Sequence, residues 1–145
     1  MKILFIIPYP LGAVPSQRFR FEQYFTSMKR HGIHYEVKPF FKPEEWRTFQ
    51  KSGSKLRKLL ILIKALIKRV AHVAYARKFD RVFVHREATP IGPPWVEWLI
   101  ARVLKVKMIY DFDDAIWTTD HKGESSLEKL IRQRSKVRLT CRWSY

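Results

Sequence analysis

A short, wholly apolar run near the start of the chain sets the tightest limit on its fold. Residues 3–7 read ILFII and are followed by Pro8, without the polar alternation that marks a half-exposed strand. Continuous runs of this length are typical of strands that are buried on both faces, as in parallel sheets. The run is too short for the apolar core of a secretory signal peptide. We therefore interpret it as a central strand of a layered α/β domain.

Further strands and helices alternate along the chain. Apolar or alternating segments predict strands at residues 2–7, 33–40, 81–85 and 107–111. Helical periodicity predicts helices at 16–30, 54–78 and 93–104, a helical turn at 43–49, and a last helix from about Ser125. This alternation predicts a Rossmann-like α/β fold, which is an open, mostly parallel sheet with helices on both faces. We expect a single domain over residues 1–145.

The long helix predicted at 54–78 has two different faces. The face expected to pack on the sheet comprises Leu56, Leu59, Leu60, Ile63, Leu66, Ile67, Val70, Val73 and Ala74. The opposite face comprises Arg57, Lys58, Ile61, Leu62, Lys64, Lys68 and Arg69. Apolar residues within a basic face are typical of helices that lie on an anionic bilayer. The alternative is a solvated basic face on which neighbouring residues cover Ile61 and Leu62.

The formal net charge of +16 is concentrated in one segment. Residues 47–79 contain ten basic and no acidic side chains. A field of this sign attracts phosphate-rich partners, which are an anionic membrane surface, a nucleic acid or a phosphorylated substrate. The single cysteine, Cys141, excludes an internal disulfide and favours a reducing compartment. We therefore expect a cytoplasmic protein with an anionic partner.

Ligands of parallel α/β sheets bind beyond the carboxyl ends of the strands. This rule selects four loops here, at residues 8–16, 39–45, 85–94 and 111–117. In or directly behind them lie the residues that we predict to bind substrate: Ser16, Arg18, Arg20, His85, Arg86, Glu87 and Asp111. Arginine forks bind phosphate or carboxylate groups. The structural alternative is that these are surface helix residues and a local ion pair beside a core histidine.

Three carboxylates lie within four residues after the last predicted strand, in the segment YDFDDAIW. Neighbouring like charges raise one another's pKa unless cations or hydrogen bonds offset the repulsion. We predict that Asp113 or Asp114 is catalytic and either holds a substrate hydroxyl or assists a proton transfer. The structural alternative is that Asp114 caps a turn and the other carboxylates are solvated.

Three segments resemble, in the same order, the N-terminal domain of GT-B-fold glycosyltransferases of the retaining family 4 type. They are residues 1–8 with the following loop and PSQRFRFEQY, then RVFVHREATPIGPPWVEWL, then KMIYDFDDAIW; the final KVRLTCRWSY also suits that family. The resemblance implies that this domain binds the acceptor and that Gly12 lies near the phosphates of a sugar nucleotide. Many relatives have a histidine that contacts the transferred sugar at the position of Asp113, where an aspartate can still accept a hydroxyl hydrogen bond.

The same resemblance implies that residues 1–145 end before a C-terminal domain that binds the sugar-nucleotide donor, and that this chain alone is inactive. The whole enzyme would transfer a hexose to a glycan or lipid-linked acceptor in cell-envelope polysaccharide or glycolipid synthesis. It would be cytoplasmic, with peripheral contact at the inner face of the cytoplasmic membrane. We expect no cofactor in this chain and no metal, because no Cys or His cluster has ligand spacing.

Two other classes fit parts of the sequence. A basic nucleic-acid-binding α/β module would explain the charge, although no recognised nucleic-acid motif accompanies it. A haloacid-dehalogenase-type phosphatase would use Asp111 and Asp113, which have the required spacing after a strand. However, Ala115 stands where that class usually has threonine or valine, and only 31 residues follow Asp114.

Overall fold

The computed structural model describes residues 1–113 and 135–145. Asp114, the loop from there to Trp117 and the predicted start of the last helix at Ser125 lie outside the described residues. The strands are β1 (Lys2–Ile7), β2 (His34–Pro39), β3 (Arg81–His85) and β4 (Lys107–Asp111). The α-helices are α1 (Pro15–Arg20), α2 (Phe25–Arg30), α3 (Pro43–Gln50), α4 (Lys55–Tyr75), α5 (Trp95–Trp98) and α6 (Ser135–Trp143). Short 3-10 helices cover Glu22–Tyr24 and Ala76–Lys78, and a π-helical segment, Leu99–Val103, continues α5.

The four strands form one parallel sheet in the order β2-β1-β3-β4. This confirms the predicted Rossmann-like α/β fold. β1 lies between β2 and β3, and Leu4, Ile6 and Ile7 of β1 have no exposed surface, as its continuous apolar run predicts. β2 lies at one edge of the sheet.

The side chains of β1 alternate between two hydrophobic cores. Leu4 and Ile6 belong to the core that β1 shares with β3, β4, α4 and α5. Phe5 and Ile7 belong to a second core with Phe21, because successive side chains of a strand point to opposite faces of the sheet. The ring centroids of Phe5 and Phe21 lie 5.4 Å apart. This contact holds the segment after α1 against the sheet.

The helix predicted at 16–30 is broken into α1, a 3-10 turn and α2. The break lies at Phe21, where φ of −147° and ψ of −32° are not helical. Ser16, where the predicted helix begins, is the second residue of α1, and Val14 occupies the cap position without a side-chain hydrogen bond. The chain leaves α2 through Gly32 at φ of 69°, since glycine adopts the left-handed conformation without strain.

The predicted sheet-facing side of α4 is wrong for most of its residues, although Val73 is buried and Leu66 half-buried, as predicted. The large aliphatic side chains that the helical pattern places in the core are exposed: Leu56, Leu59, Leu60, Ile63, Ile67 and Val70. The buried residues of α4 are Ala65, Arg69 and Val73. Small Ala65 lets the helix approach Phe40 and Phe41 closely. Both faces of α4 are rich in apolar residues, so periodicity alone does not decide which one is buried.

The residues predicted to contact a membrane are only partly exposed. Ile61 and Leu62 are half-buried and pack on the aromatic cluster of Phe40, Phe41, Trp46 and Phe49. This corrects the prediction that Ile61 and Leu62 form an outward-facing pair, because they are needed to cover that cluster. Arg57 and Lys64 are exposed.

Two of the predicted membrane-contacting lysines have partners within the domain. The Nζ atom of Lys68 lies 3.0 Å from Oε1 of Glu45, which joins α4 to α3. The ammonium group of Lys58 lies 5.5 Å from the ring centroid of Phe49, a favourable cation–π distance. In the part of the chain that the structure describes, no helix is both long enough and apolar enough to cross a bilayer.

Arg69 is a wholly buried cation that joins α4 to the sheet. Its Nη1 atom donates to the carbonyl oxygen of Lys38 at 2.8 Å, and Nη2 donates to that of Ile7 at 3.0 Å. These carbonyls belong to the last residues of β2 and β1. Burial lowers the pKa of Arg69 to about 9, so the guanidinium remains charged at neutral pH and acts as a double hydrogen-bond donor.

His72 makes the fold sensitive to acid. Burial and then the cations of Arg69, Lys38 and Lys68 lower the pKa of His72 from 6.5 to about 4. Between these values the unfolded chain binds a proton that the folded chain does not, so the free energy of unfolding falls as the pH decreases. We expect a loss of about 1–2 kcal/mol between pH 7 and pH 4, because partial solvation weakens the full effect. Urea unfolding at several pH values measures it.

His72→Gln should make this pH profile shallower between about pH 6.5 and pH 4, and His85, whose pKa burial also lowers, should contribute part of the slope that remains. The matched control is His34→Gln, which changes an exposed histidine and should leave the profile as it is. An unchanged profile in His72→Gln would contradict the assignment of the acid sensitivity to this ring.

Candidate functional site

The strand order places a topological switch point between β1 and β3. From β1 the chain crosses to β2 on one side, and from β2 it crosses to β3 on the other side of β1. The connections that follow β1 and β3 therefore run toward opposite edges of the sheet, and in open α/β sheets ligands bind in the crevice at such a point. We call residues 8–16, 85–94 and 111–113 the switch edge. Three of the four predicted ligand-binding loops meet there, the last as far as it is described.

His85 lies at the centre of the switch edge. It is the last residue of β3, where it pairs with Asp111 of β4, and its side chain is wholly buried. Its Nδ1 atom lies 2.8 Å from Oδ2 of Asp111, and its Nε2 atom lies 3.5 Å from Oγ of Ser16. The structure thus brings three predicted site residues, from the ends of β3 and β4 and from α1, into one hydrogen-bond network.

The charge of Asp111 determines which ring nitrogen of His85 carries the proton. Burial lowers the pKa of His85, and the contact with Asp111 opposes this effect only in part. Burial acts to raise the pKa of Asp111, but the hydrogen bonds from Arg20 and His85 outweigh it and hold that pKa below its usual value. An ionised carboxylate only accepts hydrogen bonds, so the proton of neutral His85 lies on Nδ1. The unprotonated Nε2 atom therefore faces the hydroxyl of Ser16.

Arg20 joins this hydrogen-bond network from its solvent-exposed side. Its Nε atom lies 3.1 Å from Oδ1 and 3.3 Å from Oδ2 of Asp111, and its Nη2 atom also contacts Oδ1. This fork-shaped pairing is more specific in geometry than a single contact. Asp111 is thereby held between a buried imidazole and a guanidinium that is 46% exposed. Arg20 keeps accessible surface for an anionic ligand.

A second carboxylate of the switch edge also faces a cation. Oδ1 of Asp113 lies 3.8 Å from Nη1 of Arg86. Arg86 has a φ of 59°, and this left-handed conformation is held by hydrogen bonds from its N–H to the Asp111 carbonyl at 2.7 Å and from the Tyr110 hydroxyl to its own carbonyl at 2.7 Å. The repulsion expected among the clustered carboxylates is thus offset at Asp111 and Asp113. Asp114 lies outside the described residues.

The loop after β1 is held by two residues that the sequence did not reveal. Gln17 is wholly buried; its Nε2 atom donates to the carbonyls of Tyr9 and Pro10, each at 3.2 Å, and its Oε1 atom accepts from the N–H of Tyr9. The carboxylate of Glu22 accepts from the N–H of Gly12, at 3.0 Å to Oε2. Gly12 has a φ of 73°. An anion that approached the Gly12 amide would therefore compete with Glu22.

The loop after β3 is fixed by charged groups of α5 and α6. The Nζ atom of Lys136 donates to Oε2 of Glu87 at 2.9 Å and to the carbonyl of Thr89 at 3.0 Å. The Oε1 atom of Glu97 accepts from the N–H of Ala88 at 2.9 Å, and burial raises the pKa of Glu97. Glu87, predicted to bind substrate, is thus half-buried and paired. The signal for Glu97 was a lone acidic residue in the apolar segment PPWVEWL.

The remaining predicted site residue, Arg18, is exposed on α1. Arg18 has no part in the hydrogen-bond network of Ser16, His85, Asp111 and Arg20, although Ser16 and Arg20 lie on the same short helix. Within residues 1–113 and 135–145, no group of three or more His, Cys, Asp or Glu side chains has the arrangement of a metal site.

Comparison with protein-family models, with curated proteins and with solved structures finds no match to this chain. The fold and the geometry of the switch edge are therefore the observations on which a functional proposal has to rest.

Proposed function

We propose that this chain is the acceptor-binding half of a glycosyltransferase, in which a second domain binds the sugar-nucleotide donor. The observation that supports it best is the chain of Ser16, His85, Asp111 and Arg20 at the switch edge. Carboxylates, imidazole and hydroxyl groups in such a crevice suit a ligand with many hydroxyls, and exposed arginines suit one that carries phosphate. The expected resemblance of three segments to family 4 of the GT-B glycosyltransferases agrees with this proposal, and those segments contain the same four residues.

The residues would divide the work as follows. Neutral His85, oriented by Asp111, offers a lone pair at Nε2 to the hydroxyl of Ser16. His85 is wholly buried, so Ser16, which is half-buried, would be the group that meets a hydroxyl of the acceptor. Asp113 accepts from a second hydroxyl of the acceptor. Arg20 and Arg86 contribute positive charge where a phosphate of the donor or of a lipid-linked acceptor would lie.

The whole enzyme would transfer a hexose to a glycan or lipid-linked acceptor during synthesis of a cell-envelope polysaccharide or glycolipid. It would do so in the cytoplasm, at the inner face of the cytoplasmic membrane. Residues 1–145 alone would bind acceptor without transferring sugar, since the proposal assigns donor binding to a second domain of the enzyme.

Asp113→Ala should weaken the binding of a saccharide acceptor about 10- to 100-fold, because one hydrogen bond to a charged acceptor group contributes about 1.5–3 kcal/mol. The free energy of unfolding should change by less than about 0.5 kcal/mol, since the 3.8 Å contact with Arg86 is a surface ion pair. Titration calorimetry against a panel of disaccharides and their phosphates measures binding, and urea unfolding measures stability. Glu44→Ala on α3, also an exposed acidic residue, is the matched control.

Three results would contradict the proposal. One is consumption of a sugar nucleotide by this chain alone. Another is an equal loss of binding in Asp113→Ala and Glu44→Ala. The third is salt-sensitive binding to duplex DNA without any saccharide binding, which would favour the nucleic-acid-binding alternative.

A further inference from the structure

The outward face of α4 carries a continuous apolar stripe. Its six large aliphatic side chains are between 44% and 66% exposed, and they are Leu56, Leu59, Leu60, Ile63, Ile67 and Val70. Their spacing of three or four residues aligns them along one side of the helix. With a rise of about 1.5 Å per residue, α4 is about 30 Å long. Single exposed aliphatic residues are ordinary, whereas a contiguous stripe of this length marks an interaction surface.

The stripe is separate from both the core and the switch edge. The opposite side of α4 is already packed, through Ala65, Ile61 and Leu62, on the aromatic cluster. Arg69 and Val73 extend that buried side toward the sheet. Within residues 1–113 and 135–145, the hydrophobic cores do not include the outward stripe, and leaving it in water is unfavourable.

Cations border the stripe on both sides. At 100° per residue, Arg57 and Lys64 lie along one border of the stripe and Lys55 lies along the other. All three are exposed, and they belong to the segment 47–79, which has ten basic and no acidic residues. The apolar stripe therefore lies within a strongly positive surface.

We propose that this stripe docks the protein on an anionic lipid bilayer, with α4 parallel to the membrane surface. The aliphatic side chains would enter the boundary between headgroups and acyl chains, while the long stems of Lys55, Arg57 and Lys64 extend sideways to the phosphates. Each basic residue near such a surface adds attraction to anionic lipid. A second copy of this chain is a poorer occupant, because its own positive borders would repel those of the first.

The apolar stripe is a different surface of α4 from the one that the sequence predicts to contact a membrane. The membrane-contacting pair expected from the sequence, Ile61 and Leu62, is half-buried against the aromatic cluster. The stripe, which includes Leu60 and Ile67, lies on the other side of the helix. It does not depend on the proposed acceptor-binding function, since a chain that bound no saccharide could still dock by this face.

The test is sedimentation of the whole chain with vesicles of phosphatidylcholine alone and of equal parts phosphatidylcholine and phosphatidylglycerol. The chain should bind the anionic vesicles and bind the neutral ones weakly. Leu60→Ser/Ile67→Ser should reduce binding to anionic vesicles at least about tenfold, because it removes two of the six aliphatic side chains whose burial in the bilayer would drive docking. Both residues are at least half exposed, so the urea midpoint should not fall.

The matched control is Leu11→Ser/Val103→Ser, which changes two aliphatic residues that are each 49% exposed and lie outside α4. It should bind vesicles like the unchanged chain. Absence of binding to anionic vesicles would overturn the proposal, and so would an equal loss in the control. A dimer in solution that Leu60→Ser/Ile67→Ser dissociates, without vesicle binding, would assign the stripe to a second copy of the chain.

Discussion

Arg69→Met should lower the free energy of unfolding by about 3 kcal/mol, because it removes two hydrogen bonds from a charged donor inside the domain. The carbonyl of Lys38 loses its bond from Nη1, and the carbonyl of Ile7 retains only the bond from the N–H of Phe40, at 2.8 Å. Methionine fills most of the space of the arginine stem, so the change measures lost hydrogen bonds more than a cavity. Urea unfolding at neutral pH gives the difference.

The control for this change is Arg57→Met on the same helix. Arg57 is exposed, so its replacement should change the free energy of unfolding by less than about 0.5 kcal/mol. A loss below about 1 kcal/mol in Arg69→Met would mean that the desolvation of the guanidinium cancels its two hydrogen bonds. Arg69 would then not be a stabilising clamp.

Asp111→Ala should also be strongly destabilising, by about 2–3 kcal/mol, and should abolish acceptor binding. The substitution leaves the buried Nδ1–H of His85 without an acceptor and frees the Arg20 fork, and an unpaired buried donor costs about 1–3 kcal/mol. Without the carboxylate, the pKa of His85 should fall further, since burial lowers it and Asp111 is the main opposing group. Urea unfolding and NMR titration of the imidazole measure the two effects.

Asp111→Asn is the matched variant, because its amide oxygen can still accept from His85 but its charge is gone. It should lose less stability than Asp111→Ala while still lowering the pKa of His85. Equal stability of the unchanged protein and Asp111→Ala would show that the hydrogen-bond network of Ser16, His85, Asp111 and Arg20 does not hold the switch edge together. Retained saccharide binding in that variant would remove Asp111 from the acceptor site.

The sequence predicts the sheet well because each strand has a local signature. The predicted bounds of β3 and β4 coincide with those observed, since both are short apolar runs between charged or turn residues. The buried side of α4 was not predictable, because a helix with apolar residues on two faces gives no sign of its neighbours. The decision rests on Ala65 meeting the aromatic cluster and on Arg69 reaching two strand ends, which are contacts distant in sequence.

The switch edge was predictable as a place but not as a network. The rule that ligands bind at strand ends selected His85, Asp111 and Ser16. Their hydrogen bonds depend on β3 and β4 being neighbours in register, and a single sequence does not reveal strand order. Gln17 and Glu22 were missed because a polar residue in a short helix carries no sign that its amide or carboxylate will satisfy a loop backbone.

Arg69 joins α4 to the carboxyl ends of β1 and β2 by hydrogen bonds. The apolar stripe and the guanidinium lie on opposite sides of the same helix, so a full helix diameter, about 10 Å, separates whatever lies under the stripe from the strand ends. A docked domain would thus hold its crevice at a constant height above the bilayer. This fixed height would then favour acceptors whose reacting hydroxyl lies at the same distance from their lipid anchor.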